Sequence, residues 1–341
     1  MAPSARGLRP QAVGGENLFP GDYDYIRQGR GHNVCLAVSR DGEHIDSKQC
    51  LLYNKDYPAG LTCHVRDPKV FALDGRYYMV LGARTLDDHG EVLVFESADK
   101  LHWNHINTIT TPKAFGYMWE CPDLFELDGQ WFLCCSPQGV PHEKKRFQNT
   151  YSCGFFPLSG DFRSACTLGA FIELDCGFDF YAPQSFLDGA RRIQLGWMGM
   201  PDAPCGNPAT VACGWQHCLT VPCELTQRGG RLHRYPVKEL EQLRAALEKA
   251  QMLSEIEDLY RPYRPKRRTR ATVAREKGLE PLAAELFRQD GRAPTLLAKG
   301  YINPELGVET VEEALAGASD ILAEEISDDA AIRKDLRQLM A

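Results

Sequence analysis

The stretch from His64 to Arg84 recurs along the chain, and that recurrence limits the fold more than any total. It reads HVRDPKVFALDGRYYMVLGAR, and WECPDLFELDGQWFLCCSPQG follows from Trp119 to Gly139. Aligned on Pro68 and Pro122, both carry Pro-x-x-Phe-x-Leu-Asp-Gly and then an apolar run. A looser third copy, YAPQSFLDGARRIQLGWMG, spans Tyr181 to Gly199. Each copy predicts a strand, a tight turn and a second strand. The turns fall at Asp74-Gly75, Asp128-Gly129 and Asp188-Gly189, because Asp-Gly between alternating apolar runs is a strong hairpin signal.

A second marker is interleaved with the first: Ser39-Arg-Asp-Gly, Ser97-Ala-Asp-Lys and Ser159-Gly-Asp-Phe. Both markers return roughly every 60 residues, a spacing that suits one four-stranded sheet per repeat and hence propeller blades. Between Asn33 and Glu224 the sequence is a series of short strand-like runs, among them VCLAVS, KVFAL, EVLVFES and QWFLCC. At Pro236 the period changes. Val237, Leu240, Leu243, Leu247, Ala250, Leu253, Ile256 and Leu259 form one stripe at helical spacing. Further helical stretches follow the basic loop YRPYRPKRRTR (260–270), one with a capping box from Thr310 to Glu313 and one starting at Ser327.

The totals exclude some classes of function. A net charge of -7 gives no global reason for nucleic acid or an anionic membrane as partner. No run approaches the roughly 18 apolar residues of a membrane span, and the start MAPSARGLRPQAVGGENLF lacks the apolar core of a secretory signal. These features predict a cytoplasmic protein. The 13 cysteines are odd in number and several sit in apolar runs (Cys134, Cys135, Cys153), which reads as buried free thiols rather than disulfides. Cys213, Cys218 and Cys223, with His217, lack a Cys-x-x-Cys pair, so no metal and no other cofactor is expected.

The residues just before the marker prolines carry the chemistry. Arg66-Asp67 precede Pro68, and Glu120 stands two before Pro122. Innermost propeller strands bring such positions together over a funnel, where two carboxylates and an arginine suit glycoside hydrolysis. Trp119, Phe180, Tyr181 and Trp197 supply apolar faces for a sugar ring. Taken singly, Asp67 reads as a turn residue and Glu120 as a solvated edge charge, and it is their equivalent places in two repeats that favour the catalytic reading.

Arg66-Asp67-Pro68, Trp119-Glu120-Cys121-Pro122-Asp123, GFDFYAPQSF from Gly177 and GWMG from Gly196 together resemble glycoside hydrolase family 32, the β-fructofuranosidases. The resemblance covers about Gly21 to Arg244. It implies a five-bladed β-propeller, here incomplete with its first blade missing. It implies that Glu120 is the general acid/base, that Asp67 stabilises the transition state by holding fructosyl hydroxyls, and that Arg66 binds substrate. Cys121, Asp179, Tyr181 and Trp197 become further substrate-binding positions. The implied substrates are sucrose, sucrose-6-phosphate or short fructans. The family's nucleophilic Asp lies in a Trp-Met-Asn-Asp-Pro-Asn-Gly-like motif that this sequence does not contain, so little or no turnover is expected. The alternative is a module that binds fructosides without cleaving them.

From about residue 250 the chain resembles the N-terminal helical region of the Tex family of transcription accessory proteins, on SEIEDLYRPYRPKRRTRATVAREKGLEP and EEALAGASDILAEEISDDAAIRKDLRQL. That resemblance implies RNA association, and, read as charges alone, Arg261, Arg264, Lys266, Arg267, Arg268 and Arg270 are candidate phosphate contacts, Arg267 and Arg268 foremost. The reading preferred for the same basic loop is a surface charge run paired with Glu255, Glu257, Asp258 and Glu276. The expected organisation is therefore a poorly defined segment over 1–30, an all-β propeller over 31–244 and an all-α region over 245–341. It is the organisation of two fused gene fragments, which a single sequencing read across codons 230–265 would establish or refute.

Overall fold

The computed structural model describes residues 9–42, 44–177, 179–204, 206, 208–260, 269–329, 332, 333, 335, 336 and 339. The chain divides into two compact units, one ending at Val237 and the other beginning at Lys238.

The first unit is a series of antiparallel sheets. β1 (Arg9–Leu18), β2 (Arg30–Ser39) and β3 (Ser47–Leu52) form one sheet in chain order. β4 (Leu61–Leu73), β5 (Arg76–Thr85), β6 (Gly90–Ser97) and β7 (Asn104–Ile109) form the second. β8 (Met118–Leu127), β9 (Gln130–Gln138), β10 (Gly154–Gly160) and β11 (Cys166–Leu168) form the third, with β12 (Ile172–Glu173) also pairing with β10. A short helix, α1 (Pro208–Ala212), interrupts the fourth, so the unit is not wholly β. That sheet holds β13 (Tyr181–Asp188), β14 (Arg191–Met198), β15 (Cys218–Leu219), β16 (Cys223–Arg228) and β17 (Arg231–Pro236).

Both markers have a structural cause. Asp74-Gly75 and Asp128-Gly129 are two-residue turns with positive φ at both positions, 50° and 74° in the first, 51° and 79° in the second. This is the geometry that matches strand twist. The third turn differs from expectation. Asp188 pairs with Arg191 across the ladder and also forms an ion pair with it, so the loop is Gly189-Ala190. In its first two copies the serine marker closes the turn leading to the sheet's outer strand. Ser97 Oγ accepts from the amide of Lys100 at 2.8 Å, and Ser39 Oγ from that of Gly42 at 2.7 Å.

The sheets pack face to face through separate apolar layers. Val34, Leu52, Met79, Leu81 and Phe95 fill the space between the first and second sheets. Tyr78, Val80, Val94, Trp119, Leu133 and Phe156 fill that between the second and third. Phe125, Phe132, Phe155 and Leu225 join the third to the fourth. Alternation along each strand sends successive residues to opposite layers, as Leu93 and Phe95 point one way and Val92 and Val94 the other. Each buried Phe or Leu contributes roughly 1.5–3 kcal/mol. Cys134, Cys135 and Cys153 are buried in these layers, and the described cysteines are free thiols.

The second unit is helical: α2 (Lys238–Lys249), α3 (Leu253–Tyr260), α4 (Arg270–Glu276), α5 (Glu280–Phe287), α6 (Pro294–Ala298) and α7 (Val311–Asp328). The sequence boundary at 244/245 falls inside α2. The apolar stripe from Val237 to Leu259 is two helices rather than one. The Glu255 carboxylate accepts from the amides of Gln251 (2.8 Å) and Met252 (3.2 Å), which caps α3 and separates it from α2. Thr310 and Glu313 form the expected capping box of α7. Ser327 lies within α7, and the next cap is Asp329, whose Oδ1 accepts from the Ile332 amide at 2.9 Å. The core of this unit is built of small residues, Ala271, Ala274, Ala314 and Ala318, around Leu279, Leu282 and Ile321. Arg261, Arg264, Lys266, Arg267 and Arg268 lie outside the described residues. Of the acids named beside them, Asp258 is buried and bound by Arg333 at 2.7 Å. No helix among the described residues is long and apolar enough to cross a membrane.

Candidate functional site

Each copy of the repeat contains the same irregularity. In β4, β8 and β13 the ladder slips between Arg66 and Lys69, between Glu120 and Asp123, and between Tyr181 and Gln184. Two residues, the second a proline, there oppose a single residue of the next strand, which is a β-bulge. The residue before each proline takes a left-handed backbone: Asp67 at φ 63°, Cys121 at 49° and Ala182 at 48°. Proline brings no N–H, so leaving the ladder at this point forfeits no hydrogen bond. The strain, roughly 1–3 kcal/mol per residue, accumulates where side chains are re-aimed.

The bulges bring equivalent positions of three sheets together. The residues two before each proline meet first. Arg66 donates to Oε1 of Glu120 from Nε (2.9 Å) and Nη2 (2.6 Å), and the Tyr181 hydroxyl donates to Oε2 at 2.5 Å. The residues one before come next: Cys121 N–H donates to Oδ2 of Asp67 at 2.9 Å, and the Cys121 thiol lies 3.6 Å from the same oxygen. The residues one after form a layer beneath. Lys69 Nζ donates to Gln184 Oε1 at 3.0 Å and sits 3.7 Å from Asp123, whose other oxygen accepts from Ser185 N and Oγ, both at 2.7 Å. Gln184 Nε2 donates to the Cys121 carbonyl at 2.9 Å, tying this layer to the one above. Toward Leu73, Leu127 and Leu187 the same three strands line a cavity of about 730 Å³.

A second hydrogen-bonding shell fixes the first. Gln138 Nε2, in β9, donates to Oε2 of Glu120 at 2.8 Å. His64 Nδ1 lies 2.6 Å from Arg66 Nη1. The main chain carrying Glu120 rests on Gly82 and Gly90. A Cβ at Gly82 would stand 1.9 Å from the Trp119 carbonyl oxygen, and one at Gly90 would stand 2.4 Å from the indole. Trp119 is fully buried, donates to the Phe115 carbonyl at 2.7 Å and packs on Phe156. It is a support for the site rather than a sugar platform.

Burial sets the charge states. It raises the Asp67 carboxyl above the ordinary range, and the Glu120 charge adds to the effect. The Cys121 amide and the Arg66 guanidinium offset part of it. Burial and the Glu120 charge also push the Tyr181 hydroxyl up, so it stays protonated and can donate. The Cys121 thiol is raised by burial and by both carboxylates, which leaves it neutral.

Of the positions expected from sequence, Arg66, Asp67, Glu120, Cys121 and Tyr181 form one connected cluster. Trp197 pairs with Tyr181 across β13 and β14, half-buried, with His217 edge-on at 4.9 Å. Asp179 lies in the loop before β13, and no hydrogen bond among the described residues joins it to the cluster. Gln138, His64, Lys69, Asp123 and Gln184 were not singled out from sequence. Three of them, Lys69, Asp123 and Gln184, hold the same offset from their prolines and could have been read from the repeat. Among the described residues no group of His, Cys, Asp and Glu is arranged to hold a metal.

Residues 19–236 match the glycosyl hydrolases family 32 N-terminal domain, which is more than half of the chain. The chain belongs to glycosyl hydrolase family 32. Its family 32 region is 42% identical over 217 residues to a sucrose-6-phosphate hydrolase of Bacillus subtilis, covering 62% of this chain and 45% of that protein. It is 41% identical over 216 residues to a raffinose invertase of Escherichia coli, covering 62% and 43%. The chain thus spans less than half the length of these relatives. Among solved structures, a family 32 β-fructofuranosidase of Bombyx mori superposes with a TM-score of 0.61 at 29% identity, covering 69% of this chain and 49% of that one. A sucrose-6-phosphate hydrolase of Lactobacillus gasseri superposes at 0.57 and 29%, covering 63% and 44%. The family 32 region is accordingly a β-propeller-type domain. Residues 289–341 match a second family, described as Tex central region-like, whereas the sequence resemblance pointed to the N-terminal region of Tex.

Proposed function

We propose that this chain carries the acid/base half of a β-fructofuranosidase site that acts on sucrose or its 6-phosphate. The observation that supports it is the convergence on Glu120: Arg66 on one oxygen, Tyr181 and Gln138 on the other. Three donors from three strands fix the carboxyl in one orientation, as a group delivering a proton to a glycosidic oxygen requires. Glu120 is then the general acid that protonates the leaving oxygen, and in its ionised form the base that activates water.

Asp67 holds the fructosyl hydroxyls and offsets the positive charge that develops on the ring. A retaining mechanism also needs a carboxylate to attack the anomeric carbon. The sequence contains no motif of the kind that carries this nucleophile in the family. Asp67, fixed by the Cys121 amide, keeps its hydroxyl-binding role. The reading is therefore of residues that bind fructosides and hold the proton donor, with no attacking carboxylate assigned among them. Four successive sheets support a propeller in which this portion supplies all but the first of five blades. The joining of a family 32 region to a Tex-like one supports a chain fused from two unrelated pieces. The test is whether a small carboxylate, supplied from solution, lets the chain release fructose, and whether Glu120→Gln stops it.

A further inference from the structure

β3 closes one edge of the first sheet. Among the described residues it pairs only with β2, and its first three residues, Ser47, Lys48 and Gln49, are exposed. Its ladder also slips: Val34 faces Leu52 and Cys35 faces Cys50, which leaves Leu51 over as a bulge. Two cysteines thereby stand directly opposite each other. Residues so placed in an antiparallel pair have side chains on one face and Cα atoms about 4.5–5.5 Å apart, within the roughly 4.4–6.8 Å that a disulfide spans. Among the described residues no other two cysteines face each other across a ladder.

We propose that Cys35 and Cys50 form a reversible modification site, at which a small-molecule disulfide oxidises the pair to a disulfide that clamps β3 to β2. The two thiols have different roles. Cys50 is half-buried and Cys35 is buried, so an oxidant meets Cys50 first. A hydrogen bond with Cys50 holds the Tyr53 hydroxyl above its ordinary range, which sets an O–H donor beside the sulfur and favours its thiolate. Burial raises the Cys35 thiol and the facing Cys50 thiol adds to the effect, while Lys48 opposes both. Cys35 is thus the poorer first nucleophile. The Cys50 thiolate attacks one sulfur of the oxidant and expels the other half as a thiolate. The Cys35 thiolate then attacks Cys50 Sγ of the mixed disulfide and expels the second half. One S–S bond breaks in the oxidant and one forms in the protein. The protein gives up two electrons and two protons, and the oxidant leaves as two thiols.

The test is treatment of the whole native chain with oxidised glutathione at about pH 8, near the ordinary thiol pKa, followed by alkylation and tryptic mapping. Cys35 and Cys50 fall in separate tryptic peptides, residues 31–40 and 49–55, each with a single cysteine, so their link is unambiguous by mass. The expected result is that linked peptide pair in most of the chain, released by dithiothreitol. The oxidised chain should melt about 5 °C or more above the reduced one, because the bond closes a loop of about 15 residues. Cys50→Ser should abolish both the link and the rise. Glutathione retained on Cys50 with Cys35 alkylated, or both peptides alkylated, overturns the proposal, and the mapping needs no substituted protein. A linked pair with no rise in melting temperature, or a rise that persists in Cys50→Ser, overturns it as well.

Discussion

Gly82→Ala is the substitution through which packing and function are most tightly coupled. Gly82 lies in β5, opposite Arg66 of β4, where β8 crosses the second sheet. Its φ is not in the left-handed region, so adding a methyl group there brings no backbone strain of its own. Elsewhere in a strand, Gly→Ala stabilises by up to about 1 kcal/mol by restricting the unfolded chain. At this position the new Cβ would stand 1.9 Å from the Trp119 carbonyl oxygen. An ordinary carbon–oxygen contact is roughly 3.3 Å, and the obstacle is main chain rather than a side chain that could rotate away. The two strands must separate by about 1 Å or more, and overpacking on this scale costs about 3 kcal/mol. Gly129→Ala is the control. It lies in an open turn at φ 79°, nothing would touch its Cβ, and its cost is the left-handed strain alone, about 1 kcal/mol. Urea unfolding of both variants should place Gly82→Ala well below Gly129→Ala. Because the displaced segment carries Glu120, sucrose binding should weaken in the first and persist in the second. A Gly82→Ala protein as stable as the Gly129→Ala control would refute the crossing geometry.

Asp67→Asn should raise the melting temperature at pH 7. Burial raises the folded-state pKa of Asp67, so the wild-type fold gains from protonation below the unfolded carboxylate value and loses that stability as pH rises through the folded one. The advantage of Asn should therefore vanish in acid and grow toward neutrality, and a gain independent of pH between 3 and 7 would contradict the assigned cause. Thr310→Ala removes the oxygen that accepts the Glu313 amide at 3.1 Å. It should destabilise the helical unit by about 1 kcal/mol in thermal unfolding followed by circular dichroism, and no loss would show the capping box to be idle.

Much of the site was legible because the repeat carries it. Proline at a fixed place in three strands marks three bulges, and the residues just before it, Arg66, Asp67, Glu120, Cys121 and Tyr181, are those that converge. Gln138 and His64 were not legible in this way. They lie outside the marker's offset: Gln138 reaches Glu120 from the neighbouring strand of the same sheet, and His64 reaches Arg66 from two residues back in β4. The β16–β17 hairpin was missed although Gly229-Gly230 between ELTQR and RLHRY is a turn signal, because its strands are polar and only Leu225 and Leu232 are buried. The break between α2 and α3 was missed because it contains neither Gly nor Pro. A carboxylate four residues on supplies the cap, and an apolar stripe continues across it. The separation of a predominantly β part from a helical part needed only the change of period near Pro236.

The most direct test of the central claim is fructose release from sucrose by the purified chain in the presence and absence of formate, with Glu120→Gln in parallel. Formate can enter a site that lacks its attacking carboxylate, while the proton for the leaving oxygen must still come from Glu120. The account predicts no release without formate, release with it, and none from Glu120→Gln under either condition. Release by Glu120→Gln equal to that of the unsubstituted chain would contradict it.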